Sequence, residues 1–124
     1  MTKPLALVFY ENLFPGSQII NRLTDLNYRV LSFHDSYLLE DQSEREKPLV
    51  VIADLTSHKT DVCAAIKKLK ENPATQHVPV IAFTSEKNAA LQNAAREAGA
   101  TLVASDTVIL EQLPRLLDHA LHID

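Results

Sequence analysis

Three short apolar runs, each closed by polar residues, limit what this chain can fold into. Leu49-Val50-Val51-Ile52-Ala53 ends in Asp54, Leu5-Ala6-Leu7-Val8-Phe9 runs into Tyr10-Glu11-Asn12, and Val78-Pro79-Val80-Ile81-Ala82-Phe83 runs into Thr84-Ser85. A strand buried on both faces of a parallel sheet reads as such a near-continuous run, and open α/β sheets bind their ligands beyond the carboxyl ends of the strands. Asp54 is therefore the first candidate for a site, and the three strand ends are expected to converge on one acidic pocket. The plain alternative is an Asp that caps the loop after its strand.

The segments between the runs carry helical signals. Asn12 is a cap candidate with Pro15 in the first turn, followed by Ile19, Ile20, Leu23 and Leu26 at helical spacing and by Asn27 as a stop. Residues 28–33 alternate imperfectly and predict a second strand near a sheet edge. A short helix is expected over 36–40, with the polar stretch 41–47 solvated. After Asp54, a loop to Thr60 leads into Val62, Ala65, Ile66 and Leu69 on one helical face, ended by Asn72-Pro73. Residues 88–98 predict an Ala-rich helix with Leu91, Ala94, Ala95 and Ala98 on one face, stopped by Gly99. A fifth strand is expected over 101–104. The last stripe, Ile109, Leu110, Leu113, Leu116, Leu117, Ala120 and Leu121, contains Pro114, which should kink or restart the helix.

Five strands alternating with five helices predict an α/β fold, a single doubly wound five-stranded parallel sheet with right-handed crossovers. With 124 residues, 46% of them hydrophobic, one domain over 1–124 with one core is expected. No apolar stretch approaches the roughly 18 residues of a membrane span, so a cytoplasmic protein without a membrane partner is expected. The net charge of -4 argues against nucleic-acid binding, and the single cysteine, Cys63, excludes an internal disulfide and reads as a small apolar helix residue. The histidines at 34, 58, 77, 119 and 122 share no ligand spacing and read as surface residues, as Lys67, Lys68 and Lys70 read as a solvated face.

The order of these pieces resembles the receiver domain of bacterial two-component response regulators, a flavodoxin-like, CheY-like (βα)5 fold, over nearly the whole chain. The most specific patch is Asn72-Pro73-Ala74-Thr75-Gln76-His77-Val78-Pro79-Val80-Ile81-Ala82-Phe83-Thr84-Ser85, followed by Ala98-Gly99-Ala100. In that family an aspartate ending the third strand accepts a phosphoryl group, an acidic pair ending the first strand holds Mg²⁺, a Thr or Ser ends the fourth strand and a lysine ends the fifth. The resemblance implies that Asp54 is the phosphoacceptor, Glu11 one of the acidic pair and Thr84 the hydroxyl. It also implies a Mg²⁺ site made by Glu11, Asp54 and the backbone carbonyl of Thr56. Glu11 as an ordinary acid at a helix N-terminus is the alternative, and Thr84 has a similar plain reading.

The chain departs from the pattern at two of these positions. Tyr10 stands where the second acid belongs, as a lid over the pocket or a packing residue, with packing the better reading. Ser105 replaces the lysine, and Leu102 stands where the family has an aromatic residue. A phosphoryl group of about -1.5 to -2 charge would thus lack a point-charge partner, which Lys87 or His58 would have to replace.

The resemblance implies a stand-alone signalling domain, an atypical receiver, that takes phosphate on Asp54 from a histidine kinase or a small phosphodonor. It would not be an enzyme beyond phosphoryl acceptance and slow autodephosphorylation. Its downstream protein partner would meet the face of the fourth helix, fifth strand and fifth helix, including Asn88, Gln92, Leu102, Ser105 and Glu111. A pseudo-receiver that serves as a phosphorylation-independent interaction module is the second reading. A small flavodoxin-like enzyme or nucleotide binder is the third, weakened because Gly16 and Gly99 form no phosphate-cradling loop.

Overall fold

Alternate residues of each buried run enter two separate cores, one on either face of a single sheet. The computed structural model describes residues 4–10, 13–35, 39–56, 61–85 and 87–121. The strands are β1 (Leu5–Phe9), β2 (Arg29–Phe33), β3 (Val50–Asp54), β4 (Val80–Thr84) and β5 (Leu102–Ser105). The helices are α1 (Leu13–Asp25), α2 (Leu39–Glu46), α3 (Val62–Glu71), α4 (Ala89–Ala98), α5 (Asp106–Glu111) and α6 (Leu113–Leu121). All four pairings are parallel and the order is β2-β1-β3-β4-β5. The order reverses between β1 and β3, so the crevice beyond their carboxyl ends is the position where such sheets place ligands.

On one face Leu5, Leu7 and Phe9 of β1 join Val51, Ala53, Val80 and Ala82, covered by Leu39 of α2, Ile66 and Leu69 of α3 and Ala95 of α4. On the other, Ala6 and Val8 join Val50, Ile52, Ile81 and Phe83, covered by Ile19 and Leu23 of α1, Ile109 of α5 and Leu113 and Leu117 of α6. Each fully buried Leu, Ile or Phe contributes roughly 1.5–3 kcal/mol, so these alternating sets fix the strand register.

The helix ends follow from particular side chains. Asp61 Oδ1 accepts from the Ala64 amide at 3.1 Å and starts α3, and Asn88 Oδ1 accepts from the Leu91 amide at 3.1 Å and starts α4. α1 ends with Asn27 at φ 69° while the Tyr28 amide donates to Leu23 O at 3.0 Å. α4 ends with Gly99 at φ 112° while the Ala100 amide donates to Ala95 O at 3.0 Å. Both are left-handed caps of the kind Asn and Gly adopt at least cost.

Five sequence expectations change, the first being the single core, which the sheet divides into two. Of the helix expected over 36–40, residues 36–38 lie outside the described residues, while Leu39 and Glu40 open α2, Leu39–Glu46, so the polar stretch expected to be solvated is helical and only Leu39 and Ser43 are buried in it. A helix this polar gives little apolar periodicity to read. The described helices number six where five were expected, because the C-terminal stripe restarts, one of the two outcomes expected of Pro114: α5 starts at Asp106, and the chain breaks at Gln112 before α6, in which Pro114 is the second residue. A proline in the first turn costs no helical hydrogen bond, so the restart is the observed outcome. Leu26 lies past the end of α1 and is exposed, not part of the buried stripe. Lys70 does not lie on a solvated face: its Nζ donates to Val78 O at 2.6 Å and Gln76 O at 3.3 Å, whereas Lys67 and Lys68 are exposed.

Candidate functional site

β3 delivers Asp54 to the carboxyl end of the sheet with only 1% of its surface exposed. Burial of both faces of the strand leaves its last side chain no route to bulk water except along the strand direction. The Asp54 carboxylate is held by its own loop: Oδ1 accepts from the Thr56 amide at 2.9 Å and also from the Thr56 hydroxyl. This is the loop-capping arrangement expected of an Asp at a strand end. It uses one oxygen only, and Oδ2 is buried with no hydrogen-bond partner among the described residues. A buried acceptor without a partner costs about 1–3 kcal/mol, more for a charged group, so the orientation of this carboxylate is maintained against a penalty.

Thr84 ends β4 in the same way. It is 1% exposed, and its Oγ1 is likewise buried without a partner among the described residues. In the register Asp54 pairs with Phe83, so Thr84 lies one residue further along the neighbouring strand. The adjacent strand ends thus present an unpartnered carboxylate oxygen and an unpartnered hydroxyl, the two polar groups that the apolar runs of the sequence singled out.

The next strand end differs. Ser105 pairs with Thr84 across β4 and β5, is buried, and its Oγ accepts from the Val108 amide at 3.1 Å as the N-cap of α5. The residue in the lysine's place is thus committed to starting a helix that follows the strand without a loop. Lys87 is exposed, and no ion pair joins it to Asp54 among the described residues. Glu11 and His58 lie outside the described residues.

On the other side of β3, Tyr10 follows Phe9, which pairs with Ala53. Tyr10 is 8% exposed and belongs to the core on the α1 face, which bears out packing as the better reading of this residue. Its ring meets His34 edge-on at 4.7 Å between centroids, and its carbonyl contacts His34 Nδ1 at 2.9 Å. His34 was read from the sequence as a surface residue, and it is exposed. Its place one residue past β2, beside the first strand end, is visible only once β2 is known to flank β1.

Of the expected docking face, Asn88 is the cap of α4, Gln92 donates through Nε2 to Ser85 O at 3.3 Å, Leu102 is half-buried and Glu111 is exposed. Among the described residues no group of three or more His, Cys, Asp or Glu side chains is placed to hold a metal ion. No helix among them is long and apolar enough to cross a membrane. Gly16 lies inside α1 and Gly99 at the end of α4, so neither forms a phosphate-cradling loop.

No protein-family model matches the chain, and no curated protein matches it. Solved structures match it in fold along nearly its full length. The receiver domain of a sensor histidine kinase from Pseudomonas aeruginosa, solved with a magnesium ion coordinated in its active-site cleft, matches with a TM-score of 0.87 at 20% identity, covering 98% of this chain and 100% of that one. The response regulator domain of Thermotoga maritima CheB matches with a TM-score of 0.81 at 18% identity, covering 99% of each chain. A chemotaxis response regulator of Vibrio cholerae matches with a TM-score of 0.83 at 16% identity, covering 96% of this chain and 99% of that one. The fold is the CheY-like receiver fold, a five-stranded parallel α/β sheet of flavodoxin type.

Proposed function

We propose that this chain is a receiver-type signalling domain in which Asp54 accepts a phosphoryl group. The observation that carries this reading is the buried Asp54 carboxylate, fixed through Oδ1 by Thr56 with Oδ2 left without a partner among the described residues, at the strand end next to the one that carries the equally unpartnered Thr84 hydroxyl. In the step, Asp54 Oδ2 attacks the phosphorus of an acyl phosphate or a phosphohistidine, the new P–O bond forms and the bond to the leaving carboxylate or imidazole breaks. The Thr84 hydroxyl is free to donate to a phosphoryl oxygen, and the protein's part is positioning and charge stabilisation.

The carboxylate oxygen without a partner suits a hard cation, and Asp54, Glu11 and the backbone carbonyl of Thr56 are the groups that would hold Mg²⁺. Bound there, Mg²⁺ supplies charge neutralisation for the phosphoryl oxygens. Tyr10 removes one carboxylate and Ser105 one ammonium from this arrangement, so the site is weaker in both metal and phosphoryl affinity than a site with both groups. The phosphodonor is a histidine kinase or a small acyl phosphate, and the output passes to a protein partner over the face of α4, β5 and the C-terminal segment, expected as one fifth helix and divided into α5 and α6.

A second reading is a constitutive interaction module, and the observation that favours it is the commitment of Ser105 to capping α5 together with the packing of Tyr10 into the core. Incubation with Mg²⁺ and acetyl phosphate followed by intact-mass measurement separates the two. A single phosphoryl adduct that disappears in Asp54→Asn supports the receiver. A folded protein that stays unmodified supports the module.

A further inference from the structure

Both donors of Thr56 converge on one oxygen of Asp54 and leave the other bare. A carboxylate offers about two acceptor sites on each oxygen. Oδ1 accepts from the Thr56 amide at 2.9 Å and from the Thr56 hydroxyl, so its sites are filled, while Oδ2 has no partner among the described residues. We propose that the Thr56 hydroxyl competes with Mg²⁺ for the Asp54 carboxylate, so that metal loading requires the Thr56 side chain to rotate away. The proposal rests on the reading of Asp54 as a Mg²⁺-assisted acceptor and assigns that site its regulation.

The competition follows from what the carboxylate has to do. On the acceptor reading one of its oxygens attacks phosphorus while the carboxylate also holds the cation. A single oxygen serving both roles would attack with electron density already drawn off by the cation. Dividing the roles leaves Oδ2 to attack and needs an open acceptor site on Oδ1. Two donors close that oxygen, and one of them has to leave.

The backbone decides which. Leu55 is buried and its amide donates to Phe83 O at 2.9 Å, so the main chain stays paired to β4 one residue beyond β3. The Thr56 amide is one residue on from that bond and moves only if the main chain moves. The hydroxyl needs no such movement: Thr56 is half-buried, and a turn of χ1 to another staggered well carries Oγ1 off Oδ1. Until then the hydroxyl keeps a buried charge hydrogen-bonded, and no lysine or arginine among the described residues forms an ion pair with Asp54. Thr56 thus opposes the cation through its side chain, although its own carbonyl is one of the groups that would hold it.

The test is a Mg²⁺ titration of the full chain at constant ionic strength, followed by the amide shifts of Asp54, Leu55 and Thr84 and run without any phosphodonor. Thr56→Val keeps the amide and the shape and removes the hydroxyl. It should bind Mg²⁺ about tenfold more tightly than wild type, the scale of one hydrogen bond to a charged group. Thr56→Ser keeps the hydroxyl and should stay within about threefold of wild type, and Asp54→Asn should lose the saturable shifts. A Thr56→Val affinity within about threefold of wild type or weaker, Thr56→Ser tightening as much as Thr56→Val, undiminished binding by Asp54→Asn, or no saturable binding in either wild type or Thr56→Val would each overturn the proposal. Should Thr56→Val fail to fold, Thr56→Ala takes its place against Thr56→Ser under the same criteria. A wild type left unmodified by acetyl phosphate is a separate result: it removes the acceptor reading, while the titrations alone decide the competition.

Discussion

The ring of Tyr10 lies so close to Gly16 that a Cβ on Gly16 would stand 2.4 Å from Cδ2 and 2.6 Å from Cγ. The missing side chain inside α1 is what allows a tyrosine to pack at the end of β1, so the two residues account for each other. Gly16→Ala gains helix propensity of about 0.5–1 kcal/mol but drives a methyl into an aromatic ring, and overpacking costs typically 1–3 kcal/mol. We expect a net loss of about 1 kcal/mol in urea denaturation. Gly16→Ala combined with Tyr10→Leu should cost less than the sum of the two single changes, and strict additivity would refute the contact.

Ser105 has a different constraint. Its hydroxyl caps a helix that follows directly from the strand, and removal of such a cap costs ~1 kcal/mol. Ser105→Ala and Ser105→Lys should therefore lose similar stability, because neither side chain accepts the Val108 amide. Only the lysine restores a cation beside the phosphoryl site, so on the receiver reading Ser105→Lys should raise the adduct yield from acetyl phosphate over wild type. Equal yields in wild type and Ser105→Lys would show that the missing ammonium does not limit the reaction.

The unpartnered atoms at the two central strand ends make a stability prediction without metal or phosphate. Thr84→Val removes a buried hydroxyl and leaves a side chain of nearly equal shape, whereas Asp54→Asn keeps an oxygen that can accept from Thr56 but puts an amide NH2 in the place of Oδ2, so it replaces one group without a partner by a neutral one. Relieving a group of this kind recovers part of the ~1–3 kcal/mol its isolation costs. Both variants should melt at or above the wild-type temperature in metal-free buffer. A clear fall in either would mean that its side chain has a partner in solution.

The sheet was legible in the sequence because its three central strands are buried on both faces and written almost entirely in Val, Ile, Leu, Ala and Phe. Their ends marked Asp54 and Thr84 as the candidates, and both are buried with an oxygen that has no partner among the described residues. What resisted reading was held by other means. α2 has two inward residues in eight and no usable apolar period. The patch most similar to receiver domains is in part a turn: Asn72 Oδ1 accepts from the Ala74 amide at 2.8 Å, its Nδ2 reaches Glu40 at 2.9 Å, and the buried Thr75 hydroxyl donates to Leu69 O at 2.6 Å. That turn precedes β4 and stands at the far end of the strand from Thr84, so its bonds hold the entry to the strand and not the site. The role of Ser105 as a cap depended on α5 starting at residue 106, and the short break at Gln112 hid that start inside one continuous apolar stripe.

Lys70 gives a prediction in alkaline solution. Its half-buried ammonium donates to Val78 O and Gln76 O, and burial lowers its pKa from the ordinary 10.5. Between the lowered value and 10.5 the unfolded chain binds more protons at this residue than the folded one, so this group makes stability rise with pH in that window. Burial raises Tyr28 from 10.0, and burial and then Asp61 raise Cys63 from 9.0, so these two groups make the folded chain hold more protons and act in the opposite sense. The net slope of the wild type therefore mixes both signs. A comparison with Lys70→Met isolates the lysine, because Tyr28 and Cys63 contribute equally to both proteins. The stability of wild type minus that of Lys70→Met, from urea denaturation at a series of pH values, should increase as pH approaches 10.5. A difference that stays flat or falls would mean that the ammonium is as well solvated in the folded chain as in the unfolded one.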